Sequence, residues 1–327
     1  MLFNSGQFFF FFIAVYLLYL KLPHRGQNIL LLIASYIFYG AWDIRFLILI
    51  IISTVVDYSA GILIQEKQKA NDIRASKRWM ILSVVVNLGI LGFFKYFNFF
   101  TESFADFINL FGWQVSYPVL QIILPAGISF YTFQTMSYSL DIYRGQLKPT
   151  RHFFDFALFV SFFPQLMAGP IERAKRLLPQ IQKNRVISAQ NVTEGAWLIL
   201  WGLFKKVYIA DNLAPYAYWS TTLANGDTAG DLYLSGMAFV LQFYCDFSGY
   251  SDMARGLASM MGFKLSVNFN LPYFATNPSV FWQKWHITLS SWLRDYLYGP
   301  LLRSRLIDGN KTIALILTMA IAGFWHG

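Results

Sequence analysis

Two of the four histidines in this 327-residue chain stand where an imidazole could do chemistry. His326 ends an apolar run, Ile313 to Trp325, with only Gly327 after it. An imidazole in or beside hydrocarbon costs free energy unless it has a partner or lines a polar cavity, so an ionisable group at such a place is a functional candidate by default. Lipid disfavours the charged ring and keeps it neutral, and a neutral imidazole is what a general base requires near neutral pH. The competing reading is an interfacial histidine that snorkels to water. His286, 40 residues earlier, lies in a stretch crowded with tryptophan. On a helical projection Trp282, Trp285, Leu289, Trp292 and Tyr296 form one stripe, and Gln283, His286, Ser290 and Arg294 form another. From periodicity alone, His286 on that polar stripe reads as a solvated histidine.

The elements that must position these residues belong to a membrane. Hydrophobic residues make up 56% of the chain and charged residues 13%, against ~25% charged in a typical soluble domain. Aromatics reach 19%, with 33 Phe and 10 Trp, and the mean hydropathy is +0.44. Apolar runs recur throughout, which predicts an all-α, multi-pass membrane protein. Met1 to Gln7 carries no positive charge and further spans follow, so Phe8 to Leu20 reads as a retained helix rather than a signal peptide. The run from Ile313 to Trp325 has 13 residues, where a helix needs ~20 to cross a bilayer core. That shortfall predicts a chain that stops inside a span, the N-terminal part of a longer protein. A single cysteine, Cys245, excludes an intrachain disulfide and a Cys-rich metal site, and reads as a small packing residue.

A net charge of +9 would suggest nucleic acid in a soluble protein, but its distribution points to topology. Lys67, Lys69, Arg74, Lys77 and Arg78 share one loop. Arg144, Lys148 and Arg151 occupy another, and Arg173, Lys175, Arg176, Lys183 and Arg185 a third. The stretches 101–118 and 211–231 carry acidic residues instead. The positive-inside rule places the basic loops in the cytoplasm and the acidic ones outside. The basic sets have a possible secondary attraction for anionic substrates or lipids.

Spans are expected near 7–22, 28–42, 44–64, 79–100, 119–141, 194–210, 232–251 and from 312 onward. Phe153 to Pro170 is apolar but has basic loops on both sides, so a full crossing would leave one of them outside. Pro164, Gly169 and Pro170 supply breakers, and a re-entrant hairpin is the expectation. Asn268 to Pro278 is loop chemistry, and the helix expected after it, to Pro300, is too polar to span and too aromatic for an ordinary loop. It suits the membrane interface, or a place plugged into the protein with its polar stripe toward a cavity. No internal repeat or linker is visible, which predicts one membrane domain over 1–327, incomplete at its C-terminal end.

The stretch from Phe281 to Tyr296, Phe-Trp-Gln-Lys-Trp-His-Ile-Thr-Leu-Ser-Ser-Trp-Leu-Arg-Asp-Tyr, is followed by Gly323-Phe-Trp-His-Gly327. Together they resemble the two-histidine signature of membrane-bound O-acyltransferases, and within that family the bacterial alginate O-acetyltransferase type. Met1-Leu-Phe-Asn-Ser5, Leu124 to Phe133, Gln165 to Arg173 and Asp246 to Asp252 resemble the same subfamily, so the likeness covers essentially the whole chain. It implies acyl transfer from cytoplasmic acetyl-CoA to an extracytoplasmic polysaccharide hydroxyl or a periplasmic acetyltransferase partner. It further implies a multi-pass place in the bacterial inner membrane, with re-entrant and interfacial helices around a tunnel. His326 matches the family's catalytic histidine and His286 its second histidine, which could orient the acceptor, relay a proton or steady an oxyanion. The donor is consumed as substrate, and no tightly bound cofactor, metal or nucleic acid is implied.

The other polar groups are weighed on that background. Asp246 and Asp252, beside Ser248 and Gly249 near a span end, read as helix-end solvation or, with the family likeness, as structural or tunnel-lining groups. Glu172 and Arg173 could close a local ion pair. Ser290 and Ser291 have no base at a fitting spacing and read as helix packing. His24 and His152 lie in basic loops, and no Walker loop, dinucleotide fingerprint or metal-ligand cluster is found. Two other readings stand beside acetyl transfer: D-alanyl transfer to teichoic acid, and a transporter of polysaccharide or lipid-linked intermediates.

Overall fold

The computed structural model describes residues 1–112, 122–217, 228–305 and 307–326. The start of the expected 119–141 span, parts of the expected outer loops 101–118 and 211–231, and Gly327 of the last motif lie outside the described residues. Among those residues the regular structure is entirely helical. In chain order the helices are α1 (Gly6–Lys21), α2 (His24–Gly40), α3 (Leu47–Lys69), α4 (Ile73–Asn109) and α5 (Ile128–Tyr143). Then come α6 (Phe153–Ser161), α7 (Phe163–Leu166), α8 (Ala174–Gln182), α9 (Ala189–Leu203) and α10 (Asp211–Ala217). The last are α11 (Ala229–Met260), α12 (Pro278–Lys284), α13 (Ile287–Leu293), α14 (Gly299–Leu302) and α15 (Lys311–His326).

Among the described residues two helical segments are long and apolar enough to cross a membrane, Ile44–Lys69, which contains α3, and Ile73–Asn109, which is α4. Others of the expected spans are shorter: α1 and α5 have 16 residues each and α2 has 17. At ~1.5 Å per residue they reach about 24–26 Å, short of a ~30 Å hydrocarbon core.

The chain divides into two compact units, the first comprising Met1, 18–167 and 173–184 and the second 2–17, 168–172 and 185–327. In the first unit α3, α4 and α5 pack together. Asp72 starts α4 by accepting a hydrogen bond from the Ala75 amide at 2.9 Å. Gly61 on α3 is required by the approach of α5, since a Cβ there would lie 2.6 Å from the Tyr138 ring. Residues 153–166 form two short helices, exposed at Phe153 and Phe154 and buried from Phe156 onward, with Phe156, Phe159, Phe162 and Phe163 inaccessible to solvent. Nine-residue α6 is too short to cross a bilayer. The break after it is satisfied by side chains: Gln134 and Gln165 donate to the Phe159 carbonyl, and the Phe163 amide donates to Ser35 Oγ at 3.0 Å. His24 donates from Nε2 to the Ile181 carbonyl at 2.7 Å, an ordinary structural contact.

At the centre of the first unit lies Asp57, fully buried on α3. Ser83 and Ser139 donate to its Oδ1, and Asn87 Nδ2 donates to Oδ2 at 2.7 Å. Thr135 donates to Asn87 Oδ1 at 3.2 Å, which closes the network. No cationic side chain pairs with Asp57 among the described residues.

In the second unit α9 and α11 run against each other over two reciprocal glycine pairs. A Cβ on Gly195 would sit 2.7 Å from the Gly256 carbonyl oxygen, and one on Gly202 would sit 2.5 Å from that of Gly249. Each glycine pair recurs after seven residues on its own helix. Small residues at such a spacing let two backbones approach where lipid offers no hydrophobic drive. Beyond Leu203 the chain winds as a π-helix over Phe204–Ala210 before α10. The surplus residue of such a turn projects side chains where a regular helix would not, and here Lys205 and Lys206 occupy it.

Candidate active site

The stretch after Asn268 departs from the expected single helix. Asn277 caps α12, accepting the Val280 amide at 2.9 Å, with Pro278 at the first helical position. The helix ends at Lys284, Trp285 is extended, and His286 adopts φ +39°, ψ 54°, in the left-handed region. A new helix then begins at Ile287. The physical reason is competition for the backbone. The Asn270 amide donates to the Lys284 carbonyl at 2.9 Å and the Ile287 amide to the Asn268 carbonyl at 2.8 Å, bonds that a continuous helix would forbid. Trp285 is held in the break by aromatic rings, stacked on Phe281 and edge-on to Phe269.

The two stripes therefore dissolve at His286. Leu289, Trp292 and Tyr296 are buried as the apolar stripe requires, whereas Trp282 is exposed. On the polar stripe Gln283 and Arg294 are exposed. His286, read from periodicity as solvated, is 5% exposed. Its place is made by Phe247, whose ring meets the imidazole edge-on at 4.8 Å, and by Phe269.

One of its polar partners is a residue that sequence reasoning passed over. Asn268, itself 1% exposed, presents Oδ1 to His286 Nδ1 at 3.0 Å, to Thr288 Oγ1 at 2.9 Å and to the Thr288 amide at 3.4 Å. Asn268 Nδ2 donates to Ser251 Oγ at 3.2 Å. The Ile171 amide donates to Thr288 Oγ1 at 3.1 Å, and the Ser266 amide to Glu172. Burial first, and the proximity of His326 second, push the His286 imidazole down to about 3. The two candidate histidines are thus within electrostatic reach of one another. His326 occupies the last turn of α15, is exposed, and lies against Trp325 with ring centroids 4.5 Å apart.

A second polar system involves the paired aspartates. Both lie within α11, which continues to Met260, so neither is at a helix end. Lys205, almost fully buried, reaches Asp252 at 2.6 Å and Ser248 at 3.1 Å. Asp252 also pairs with Arg255 at 3.0 Å, and Lys206 joins Asp246 at 2.7 Å and Asp211 at 2.8 Å. Asp252 is thus held by two cations in a largely enclosed place, whereas Asp246 and Asp211 share Lys206 while remaining half-exposed. Ser290 donates to the Trp285 carbonyl and Ser291 to that of Thr288, contacts of helix packing. Cys245 is a buried free thiol. Among the described residues no three His, Cys, Asp or Glu side chains gather to hold a metal ion. Asn268 could have been suspected from its place at the start of the loop ahead of His286, and Asp57 and Lys205 as ionisable residues inside the expected spans 44–64 and 194–210.

What this arrangement offers is a neutral, aromatic-walled imidazole at a strained turn with a second imidazole near it. The model of the membrane-bound O-acyltransferase family matches residues 146–327. The chain is 46% identical to the probable alginate O-acetylase AlgI of Pseudomonas aeruginosa over all of its own length and 62% of that protein's. It is 38% identical to the peptidoglycan O-acetyltransferase of Helicobacter pylori over all of its length and 67% of that protein's. Identity to the teichoic acid D-alanyltransferase of Bacillus subtilis is 30%, covering 65% of this chain and 56% of that one.

Proposed function

Because this chain belongs to the membrane-bound O-acyltransferase family, we propose that it moves an acetyl group from cytoplasmic acetyl-CoA to an extracytoplasmic polysaccharide hydroxyl, or to a periplasmic partner that relays it. The observation that carries this reading is His286, buried and neutral at the α12–α13 break, with His326 close enough for its charge to be felt. In the proposed reaction His326 takes the proton of the attacking hydroxyl as its oxygen bonds to the thioester carbonyl carbon. The carbon–sulfur bond then breaks, and the proton passes from His326 to the departing thiolate. Positioned general-base catalysis of this kind contributes typically ~10²–10⁴-fold.

The setting proposed for this chemistry is one multi-pass domain in the bacterial inner membrane, with 153–170 re-entrant and a tunnel in which donor and acceptor meet without crossing. The two membrane-length helices among the described residues and the broken 153–166 segment, buried from Phe156 onward, support it. A polar site inside such a domain is tolerated where protein or a water-filled cavity surrounds it. D-alanyl transfer remains the second reading, favoured by the identity to the teichoic acid enzyme. The higher identity over the whole chain to the alginate O-acetylase favours acetyl.

Radiolabelled acetyl-CoA supplied to membrane vesicles tests the proposal with the protein at its full natural length. Inside-out vesicles are expected to yield labelled polysaccharide and sealed right-side-out vesicles none. Equal labelling from both faces would overturn the sidedness; labelling only when an aminoacyl carrier protein is supplied would give the D-alanyl reading.

A further inference from the structure

Asn268 binds both the ring of His286 and the backbone that follows it. Its backbone carbonyl takes the Ile287 amide at 2.8 Å, and its side-chain oxygen takes the His286 ring at 3.0 Å. The same oxygen faces the Thr288 amide, and a backbone N–H can only donate, so the atom presented there is the carbonyl oxygen of the Asn268 amide. An amide oxygen can only accept. His286 Nδ1 must therefore carry the hydrogen, which leaves a lone pair on Nε2 in the neutral ring. Thr288 holds the amide in this orientation with its hydroxyl, which takes the Ile171 amide and gives its own proton to Asn268 Oδ1. The positive φ at His286 is backbone strain of a kind that clusters at functional sites and persists only where surroundings over-determine it.

We infer that Asn268 is a positioning residue that holds His286 as the Nδ1–H tautomer, so that the group meeting Nε2 must be a hydrogen-bond donor, namely the hydroxyl under attack, and not an oxyanion. This rests on the acyl-transfer reading for its reaction but not for its geometry. His286 receives a hydrogen bond and keeps no proton, and the proton goes to His326. A ring as deeply buried as His286 is too weak a base to take it. Of the three roles open to the second histidine, orientation of the acceptor is the one this tautomer permits.

The test is nitrogen NMR on the full-length protein labelled with ¹⁵N-histidine, with His286 assigned by difference from His286→Gln. Wild type is expected to show a protonated Nδ1 and an unprotonated Nε2 at pH 7. An Nε2–H signal for His286 would overturn the inference whatever the activity. Asn268→Leu is expected to mix the two tautomers and lower acetyl transfer by ~10–100-fold, the usual cost of losing a histidine's orienting partner. Asn268→Asp keeps the acceptor oxygen but adds charge, so it should preserve the tautomer and move the acid limb of the pH–rate profile to higher pH. A uniform loss in Asn268→Asp with an unmoved profile would reduce Asn268 to a packing residue. Correct tautomers in a protein that transfers no acyl group would remove the reaction and leave the positioning intact.

Discussion

At His286 the left-handed backbone costs of order ~1–3 kcal/mol, and the ring is buried besides. Its pKa, about 3 in the folded protein against the ordinary 6.5, has a consequence for stability with a definite sign. Between those values the unfolded chain binds a proton that the folded one refuses. The contribution is therefore fully present above about 6.5 and is lost as pH falls toward 3. Thermal unfolding midpoints of wild type should drop over that window more steeply than those of His286→Gln, and parallel curves would sink the assignment. The catalytic proposal makes a separate prediction at the other ring. His326→Gln keeps much of the shape but cannot take the proton in the same way, so acetyl transfer by the full-length protein should fall ~10²-fold or more, roughly 3 kcal/mol of transition-state stabilisation. Near-normal product from that variant, with normal expression, would leave His326 lining the site only.

Element packing supplies its own tests, because the two units use different means of holding helices together. In the second unit the glycine pairs of α9 and α11 leave no room for side chains. Gly202→Leu should cost ~1–3 kcal/mol or more through overpacking, read as a lowered unfolding midpoint. On α4, by contrast, a Cβ added at Gly89 would meet nothing within 4 Å. Gly89→Ala should therefore be neutral, or stabilise by up to ~1 kcal/mol through helix propensity. In the first unit three donors converge on Asp57. Asp57→Ala would strand them in a buried site at ~1–3 kcal/mol for each unsatisfied group. Asp57→Asn keeps the volume and one acceptor oxygen, but turning the Asn87 amide to receive the new N–H gives up the 2.9 Å bond from Asn87 Nδ2 to the Ser83 carbonyl. It should still cost stability, while being the milder change by the same measurement. Equal effects of the two substitutions would mean that the network contributes nothing beyond its volume.

For the whole molecule the testable quantity is sidedness. Helix α4 has 37 residues, about 55 Å at ~1.5 Å per residue, enough to carry its basic start and its acidic end to opposite sides of a ~30 Å core. With Cys245 replaced, cysteines at Lys69 and Asn184 should be shielded from an impermeant thiol reagent outside intact cells, and one at Glu102 should react. Labelling at Asn184 from outside would show that 153–170 crosses the membrane. Composition, basic-loop asymmetry and two histidine motifs are properties of residue type and order, so class, expected sidedness and the two histidines were legible in the chain by itself. The broken helix was not, since periodicity assumes that a helix continues. At His286 it stops because backbone groups of residues 268–270, distant in sequence terms, take the bonds the helix would use. The same holds for Asn268, ordinary in its own neighbourhood, and for the partners of Asp57, whose charge inside an apolar run is legible but not what satisfies it. What gives the one its hold on a histidine tautomer and the other its burial is which polar groups arrive from other helices, and only the tertiary structure decides that.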